Sequence, residues 1–259
     1  MSQGTGRTPV VAVLGLGEAG GAIARDLVAA GAAVRAYDPA VPAPDGAVAA
    51  TGEADAAAGA DLVLSVNSAH DAAYALRAGV PGAGGAVWAE LNTASPGLKR
   101  ELAATAKAAG VRFADVAIMA PVPGRGLSTP MLASGDAAAD AAAILTGFGA
   151  SVEVMDAEAG AAATRKLLRS VFFKGLAASV VEALEAARAA GCEDWLRGNI
   201  VEELAAAGEP TVDRLVAGTH RHAVRRAAEM AAAADMLKEL DVPPTMAAAS
   251  RDLLRRLSR

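Results

Sequence analysis

The run Gly15-Leu16-Gly17-Glu18-Ala19-Gly20 limits what this chain can fold into more than any other feature. It follows an apolar stretch of strand length, Pro9-Val-Val-Ala-Val-Leu-Gly15, and opens a helical stretch over 18–30 that Gly31 closes. A G-x-G-x-x-G turn at a strand-to-helix junction has a mechanical meaning. Gly15 permits the tight turn, Gly17 lets the backbone approach a pyrophosphate, and Gly20 lets helix and strand pack closely. The helix N-terminus adds free N–H groups and positive dipole. Asp38 ends the next apolar run about twenty residues beyond Gly15, where an acid would accept ribose hydroxyls. The expectation is a dinucleotide-binding domain. A carboxylate at Asp38 would also repel a 2′-phosphate, Pro39-Ala40-Val41 offers no arginine, and Arg35 is an imperfect substitute. NAD is therefore expected in preference to NADP.

The same texture continues to about residue 155. Apolar runs at 33–37, 47–49, 61–66, 86–91, 111–118, 131–134 and 152–155 read as strands, with helices in the gaps, including 96–109 and 136–145. Strands alternating with helices predict a mainly parallel sheet covered on both faces. After Asp156 no convincing strand remains. Leu167, Leu168, Val171, Leu176, Val180 and Leu184 recur at three- and four-residue intervals, predicting one long helix over 161–189. Further helices are expected at 193–207, 211–239 and 243–257, punctuated by Gly208, Pro210, Gly218, Pro243 and Pro244. The fold class is thus α/β: a Rossmann-type doubly wound domain over 1–158, then an all-α domain over 159–259.

Composition narrows the function. With 259 residues, 20% charged side chains and a net charge of -5, the chain is neither a disordered polyampholyte nor a protein built to grip nucleic acid by its phosphates. Only 3% of residues are aromatic, which argues against stacking on single strands and predicts that any adenine lies between aliphatic side chains. The polar amino-terminal residues lack the pattern of a secretory signal, and no run approaches a membrane span. Cys192 is the one cysteine, so no intrachain disulfide forms, and it reads as a small buried hydrophobe rather than a nucleophile. A reducing cytoplasm fits. His220 and His222, read on one helix, diverge by about 200° and do not share a metal.

Three further segments carry a resemblance: Glu90-Leu-Asn-Thr93-Ala-Ser-Pro96, Gly160-Ala-Ala-Ala-Thr-Arg-Lys166, and Asp115-Val-Ala-Ile-Met-Ala-Pro-Val-Pro-Gly-Arg-Gly. With the glycine turn, they resemble the β-hydroxyacid dehydrogenase superfamily over nearly the whole chain. That group includes 3-hydroxyisobutyrate and 6-phosphogluconate dehydrogenases, with imine reductases as relatives. The run Arg169-Ser170-Val-Phe-Phe-Lys174-Gly175-Leu176 looks like a divergent subgroup with a variant C-terminal domain.

The resemblance implies an NAD(P)-dependent oxidoreductase that moves hydride between nicotinamide and a small hydroxy or carbonyl compound. It implies that Val66-Asn67-Ser68 and Thr93 line the cofactor with the glycine turn. It makes Lys166 the acid/base, with Glu182 confirming the register in the same helix. Ser170, one turn on, stands where the family has asparagine. Lys174, about 80° around the helix from Lys166, remains as an anion anchor or the true base. The family's substrate loop reads D-A-P-V-S-G-G. Here Asp115 matches, but Met119, Ala120 and Pro121 replace the small polar run and suggest a bulkier or more apolar substrate. Asn92 or Thr93 also reads as a helix cap before Pro96. C=N reduction and a non-catalytic nucleotide sensor are the alternatives. The long amphipathic helices of the second domain predict a homodimer, with no nucleic-acid or membrane partner.

Overall fold

The computed structural model describes residues 7–259, so the amino-terminal residues 1–6 weighed above for a signal lie outside the described residues. The described residues resolve into two compact units, which divide between Arg169 and Ser170.

The first unit alternates β1 (Val10–Leu14), α1 (Glu18–Ala29), β2 (Ala33–Tyr37), β3 (Val48–Ala49), α2 (Glu53–Ala57), β4 (Leu62–Ser65), α3 (Ala72–Gly79), β5 (Val87–Glu90), α4 (Pro96–Ala108), β6 (Arg112–Ile118), β7 (Met131–Ser134), α5 (Ala138–Gly147) and β8 (Val152–Val154). All eight expected strands form one sheet in the order β3-β2-β1-β4-β5-β6-β7-β8. Its apolar runs are continuous because both faces are covered. In β1 and β4, Val11, Val13, Leu62 and Leu64 pack with Ile23 and Leu27 of α1. The alternate residues Ala12, Leu14 and Val63 pack on the other face with Trp88, Leu76 and Leu102. The sheet is parallel except where β6 meets β7, which run antiparallel. The connection over 119–130 carries one 3-10 turn, Gly126–Ser128, and no crossover helix, so the chain reverses.

The long expected helix forms as α6 (Ala161–Ala189), which begins in the first unit and continues into the second. It is followed by α7 (Glu193–Ala205), α8 (Glu209–Arg221), α9 (Ala223–Glu239) and α10 (Thr245–Leu257). The single helix expected over 211–239 is two, because His222 leaves helical geometry at φ -118 and ψ 23. His220 therefore lies in the last turn of α8 and His222 at the break itself. Cys192 is exposed, contrary to the buried role expected, because it sits at the N-cap of α7 on the surface of its unit. Ala186, Ala234, Leu237 and Ala247 form the small core of the second unit. Glu182 has a structural task there: its carboxylate accepts the amides of Met246 and Ala247 at 2.6 and 2.8 Å, capping α10 where Pro244 offers no side-chain acceptor. Among the described residues no helix is long and apolar enough to cross a membrane.

Candidate nucleotide and catalytic site

The order β2-β1-β4 puts the reversal of strand order beside β1, and ligands of open α/β sheets sit at the carboxyl ends of the strands there. A cavity of about 390 Å³ opens at that point, lined by Gly15, Gly17, Tyr37, Asp38, Val66, Asn67, Ser68 and Tyr74. The sequence brought six of these together as candidates; the other cofactor candidates support the turn instead. Leu16 is buried in the core, Gly20 is buried beneath the turn, Ala19 is half-buried and Glu18 is exposed.

The turn fits a pyrophosphate. Gly15 has φ +95, and a Cβ there would meet the Asn67 backbone at 2.6 Å, so β1 turns directly against the end of β4. A Cβ on Gly20 would lie 2.0 Å from the Gly15 carbonyl oxygen. At Gly17 nothing lies within 4 Å, so the backbone is open to a ligand at the start of α1, where first-turn amides have no intrahelical acceptor.

Asp38 braces this turn as well as facing the cavity. Its carboxylate accepts the amides of Leu16 at 2.7 Å, Ala40 at 2.8 Å and Val41 at 2.9 Å. Burial works to raise its pKa, but the three amide bonds outweigh that and hold it below the usual carboxylate value. Three bonds leave acceptor capacity for a ribose hydroxyl. Arg35 points elsewhere: its guanidinium bonds the Asp55 carboxylate and the carbonyls of Asp55 and Ala56. The cavity walls are not only aliphatic, because β2 and α3 bring both tyrosines of the chain, Tyr37 and Tyr74, to it. Phe172 and Phe173 are exposed on α6, with ring centroids 5.0 Å apart.

Beside the cavity lies a buried charge cluster that sequence reading missed. Lys99, Glu90 and Asp115 are 1%, 0% and 0% exposed. The Lys99 ammonium donates to the Glu90 carbonyl at 2.6 Å and pairs with Asp115 Oδ1 at 3.1 Å, with Glu90 Oε1 at 3.9 Å. Asp115, expected at the substrate, has its other oxygen committed to structure: Oδ2 accepts the amides of Gly160 at 2.9 Å and Ala163 at 3.0 Å and the Ser134 hydroxyl at 3.3 Å. Glu90 Oε1 accepts the Asn92 amide at 3.0 Å, and Asn92 Nδ2 donates to Asn67 Oδ1 of the cavity loop at 2.7 Å. Burial pushes the Glu90 carboxyl up, against the Lys99 charge and bonds from Ser65 and Asn92. The available sequence signal was Lys99 itself, which shares the buried face of α4 with Leu102 and Ala106 at helical spacing.

Lys166, half-buried in the second turn of α6, lines a small recess with Asn92, Thr93, Lys99, Asp115 and Ala163. Thr93 thus accompanies Lys166 rather than the nucleotide cavity. The helix-cap role considered for Asn92 or Thr93 belongs to Ser95, whose hydroxyl accepts the Leu98 amide. Ser170 and Lys174 fall in the second unit, half-buried and exposed respectively. Met119 packs with Met155 against Ala117, Leu132 and Ala162. Ala120 is half-buried and Pro121 exposed, and none of the three lines the recess.

A family model described as the NAD binding domain of 6-phosphogluconate dehydrogenase matches residues 10–156. A second, a domain of unknown function (DUF1932), matches residues 187–257. No curated protein matches. Among solved structures, a conserved hypothetical protein from Sinorhizobium meliloti 1021 is 27% identical, with TM-score 0.62, over 96% of this chain and 88% of that one. A conserved protein of unknown function, described as structurally similar to 3-hydroxyacid dehydrogenases, is also 27% identical at TM-score 0.62, over 96% and 97%. The imine reductase of Streptomyces aurantiacus shares the fold at TM-score 0.80 and 24% identity, over 95% and 93%.

The raised Glu90 carboxyl makes a signed prediction. Its folded form holds a proton more tightly than the unfolded chain does, so the stability it contributes is full below the ordinary value of 4.5 and is lost as pH rises through the folded value. Glu90→Gln cannot ionise. Thermal unfolding from pH 4 to 8 should show the variant gaining on wild type steadily with pH; a constant difference would mean that Glu90 titrates alike in both states.

Proposed function

The chain belongs to the family of the NAD binding domain of 6-phosphogluconate dehydrogenase, and from that premise we propose an NAD-dependent oxidoreductase acting on a small hydroxy or carbonyl compound, with Lys166 as its acid/base. The observation that carries the reading is the joining of two features in one unit: a nucleotide cavity at the end of β1 and β4, and a lysine-bearing recess tied to it through the Asn67–Asn92 bond. The bound dinucleotide supplies the hydride acceptor or donor; this chain supplies the cradle and the proton. The Gly15–Gly20 turn takes the pyrophosphate and Asp38 the ribose hydroxyls. Lys166 takes the hydroxyl proton when an alcohol is oxidised and returns it when a carbonyl is reduced. Thr93 and Asn92 flank Lys166, and Asn92 Nδ2 is bonded to Asn67 of the cavity loop.

Cofactor choice follows from Asp38. The amides hold it charged, so a 2′-phosphate would meet a fixed anion while Arg35 is committed to Asp55. Asp38→Asn should weaken NADH binding roughly 10- to 100-fold in a fluorescence titration, since a charge-assisted bond contributes roughly 1.5–3 kcal/mol, and should narrow the preference over NADPH. An unchanged preference would remove Asp38 from cofactor selection.

Lys166→Ala should lower kcat on a panel of 3-hydroxyacids, aldehydes and cyclic imines by roughly 100-fold or more while NADH affinity holds. An unchanged rate would remove Lys166 from the chemistry. Absence of turnover by wild type on every compound would favour a nucleotide sensor.

The second unit supports a homodimer. Helices α7 and α8 bury no residue within one chain, and Trp195, Val201, Val212 and Val216 stand exposed, so a second copy is the natural cover for these faces. Light scattering coupled to size exclusion should give the mass of two chains; a monomer at micromolar concentration would overturn this.

A further inference from the structure

Lys99 has no evident reason to be a lysine. Its side chain is 1% exposed on the core face of α4, where a leucine or methionine would fill the space without requiring buried carboxylates. What the ammonium does is hold two otherwise separate pieces of backbone. One donor goes to the Glu90 carbonyl at the end of β5, at 2.6 Å. The ion pair at 3.1 Å goes to Asp115, whose second oxygen takes the Gly160 and Ala163 amides at the start of α6. Ser134 closes the same arrangement: its hydroxyl donates to Asp115 Oδ2 and accepts the Ala162 amide at 3.1 Å. Three amides of the first turn of α6 thus end on Asp115 and Ser134. Lys166 stands one helical turn beyond Ala163, on the recess that Lys99, Asn92 and Thr93 also line.

We propose that Lys99 is a positioning residue for Lys166: by pairing with Asp115 it anchors the first turn of α6, and by bonding the Glu90 carbonyl it ties that turn to the strand end that leads into Asn92 and Thr93. Without the ammonium, Asp115 is a buried carboxylate with no counter-ion and turns away toward water. The amides of Gly160 and Ala163 then lose their acceptor and the turn frays. The positive end of the helix dipole favours the Asp115 anion, and Lys99 supplies the remaining neutralisation. The same lysine reaches the cofactor side, because the Glu90 side chain holds the Asn92 amide and Asn92 holds Asn67. The functional consequence rests on the reading of Lys166 as the proton-handling group; the geometry does not.

Competitive acetylation of the full-length protein with trace acetic anhydride, read residue by residue by mass spectrometry, tests this without a known substrate. Lys174, on the same helix, is the internal control. In Lys99→Met the acetylation rate of Lys166 should change about fivefold or more, the scale set by losing a helix-capping interaction, while that of Lys174 stays within about twofold. Asp115→Asn, which keeps shape and removes the charge, should reproduce the change and serves if Lys99→Met does not fold. Lys99→Arg, which keeps charge and donors, should restore most of the wild-type rate. If both Lys99→Met and Asp115→Asn lower the melting temperature but leave the Lys166 rate at its wild-type value, Lys99 is a core ion only and the proposal is overturned. Should Lys166→Ala retain full turnover while the acetylation change is found, positioning stands and the acid/base role falls.

Discussion

Taking an ammonium out of water costs several kcal/mol unless excellent partners replace the solvent, and Lys99 meets that condition through elements far apart in the chain. Its partners come from the end of β5 and the middle of β6, and through Asp115 it reaches the start of α6. None of these groups is satisfied until the strands are paired and α4 is docked. The charge cluster is therefore complete only when β5, β6, α4 and the start of α6 are all in place. The nucleotide loop through Asn67 and the recess of Lys166 both hang from it.

The turn after β1 depends on a different constraint, backbone against backbone. Gly15 touches the start of the loop after β4 and Gly20 lies over the Gly15 carbonyl, so strand, turn and helix approach as closely as peptide groups allow. Asp38 completes the turn by accepting the Leu16 amide across from β2. An acid recognised from its spacing as a ribose partner is also the brace that keeps the phosphate loop in shape. Its low pKa is the electrostatic trace of that bracing.

Much of this was readable in advance because both faces of the sheet are buried, which writes each strand as an apolar run bounded by turn residues. Val10–Leu14 and Leu62–Ser65 are of that kind. The glycine spacing and Asp38 were readable for a related reason: their constraints are local. The break at His222 was not, since Gly218 lies inside α8, four residues before it, and helical spacing continues on both sides. Cys192 shows the limit of residue-type habits, for exposure depends on what covers a position. Tyr37 and Tyr74 looked like scattered aromatics until β2 and α3 set them at one cavity. Asp115, expected at the substrate, lies in the middle of β6, and its Oδ2 went to a helix start that sequence spacing does not connect to it.

The sequence by itself determined the elements, their alternation and the nucleotide turn, because hydrophobic period, glycine conformation and helix-terminal amides act over a few residues. Only the tertiary structure decided the electrostatics: which carboxylate is spent on amides, which lysine is buried and which stands at the recess. Those outcomes depend on desolvation and on partners between nine and 48 residues away, such as Glu90 for Lys99 and Asp115 for Ala163. A chain's local pattern carries no record of either until the sheet closes around them.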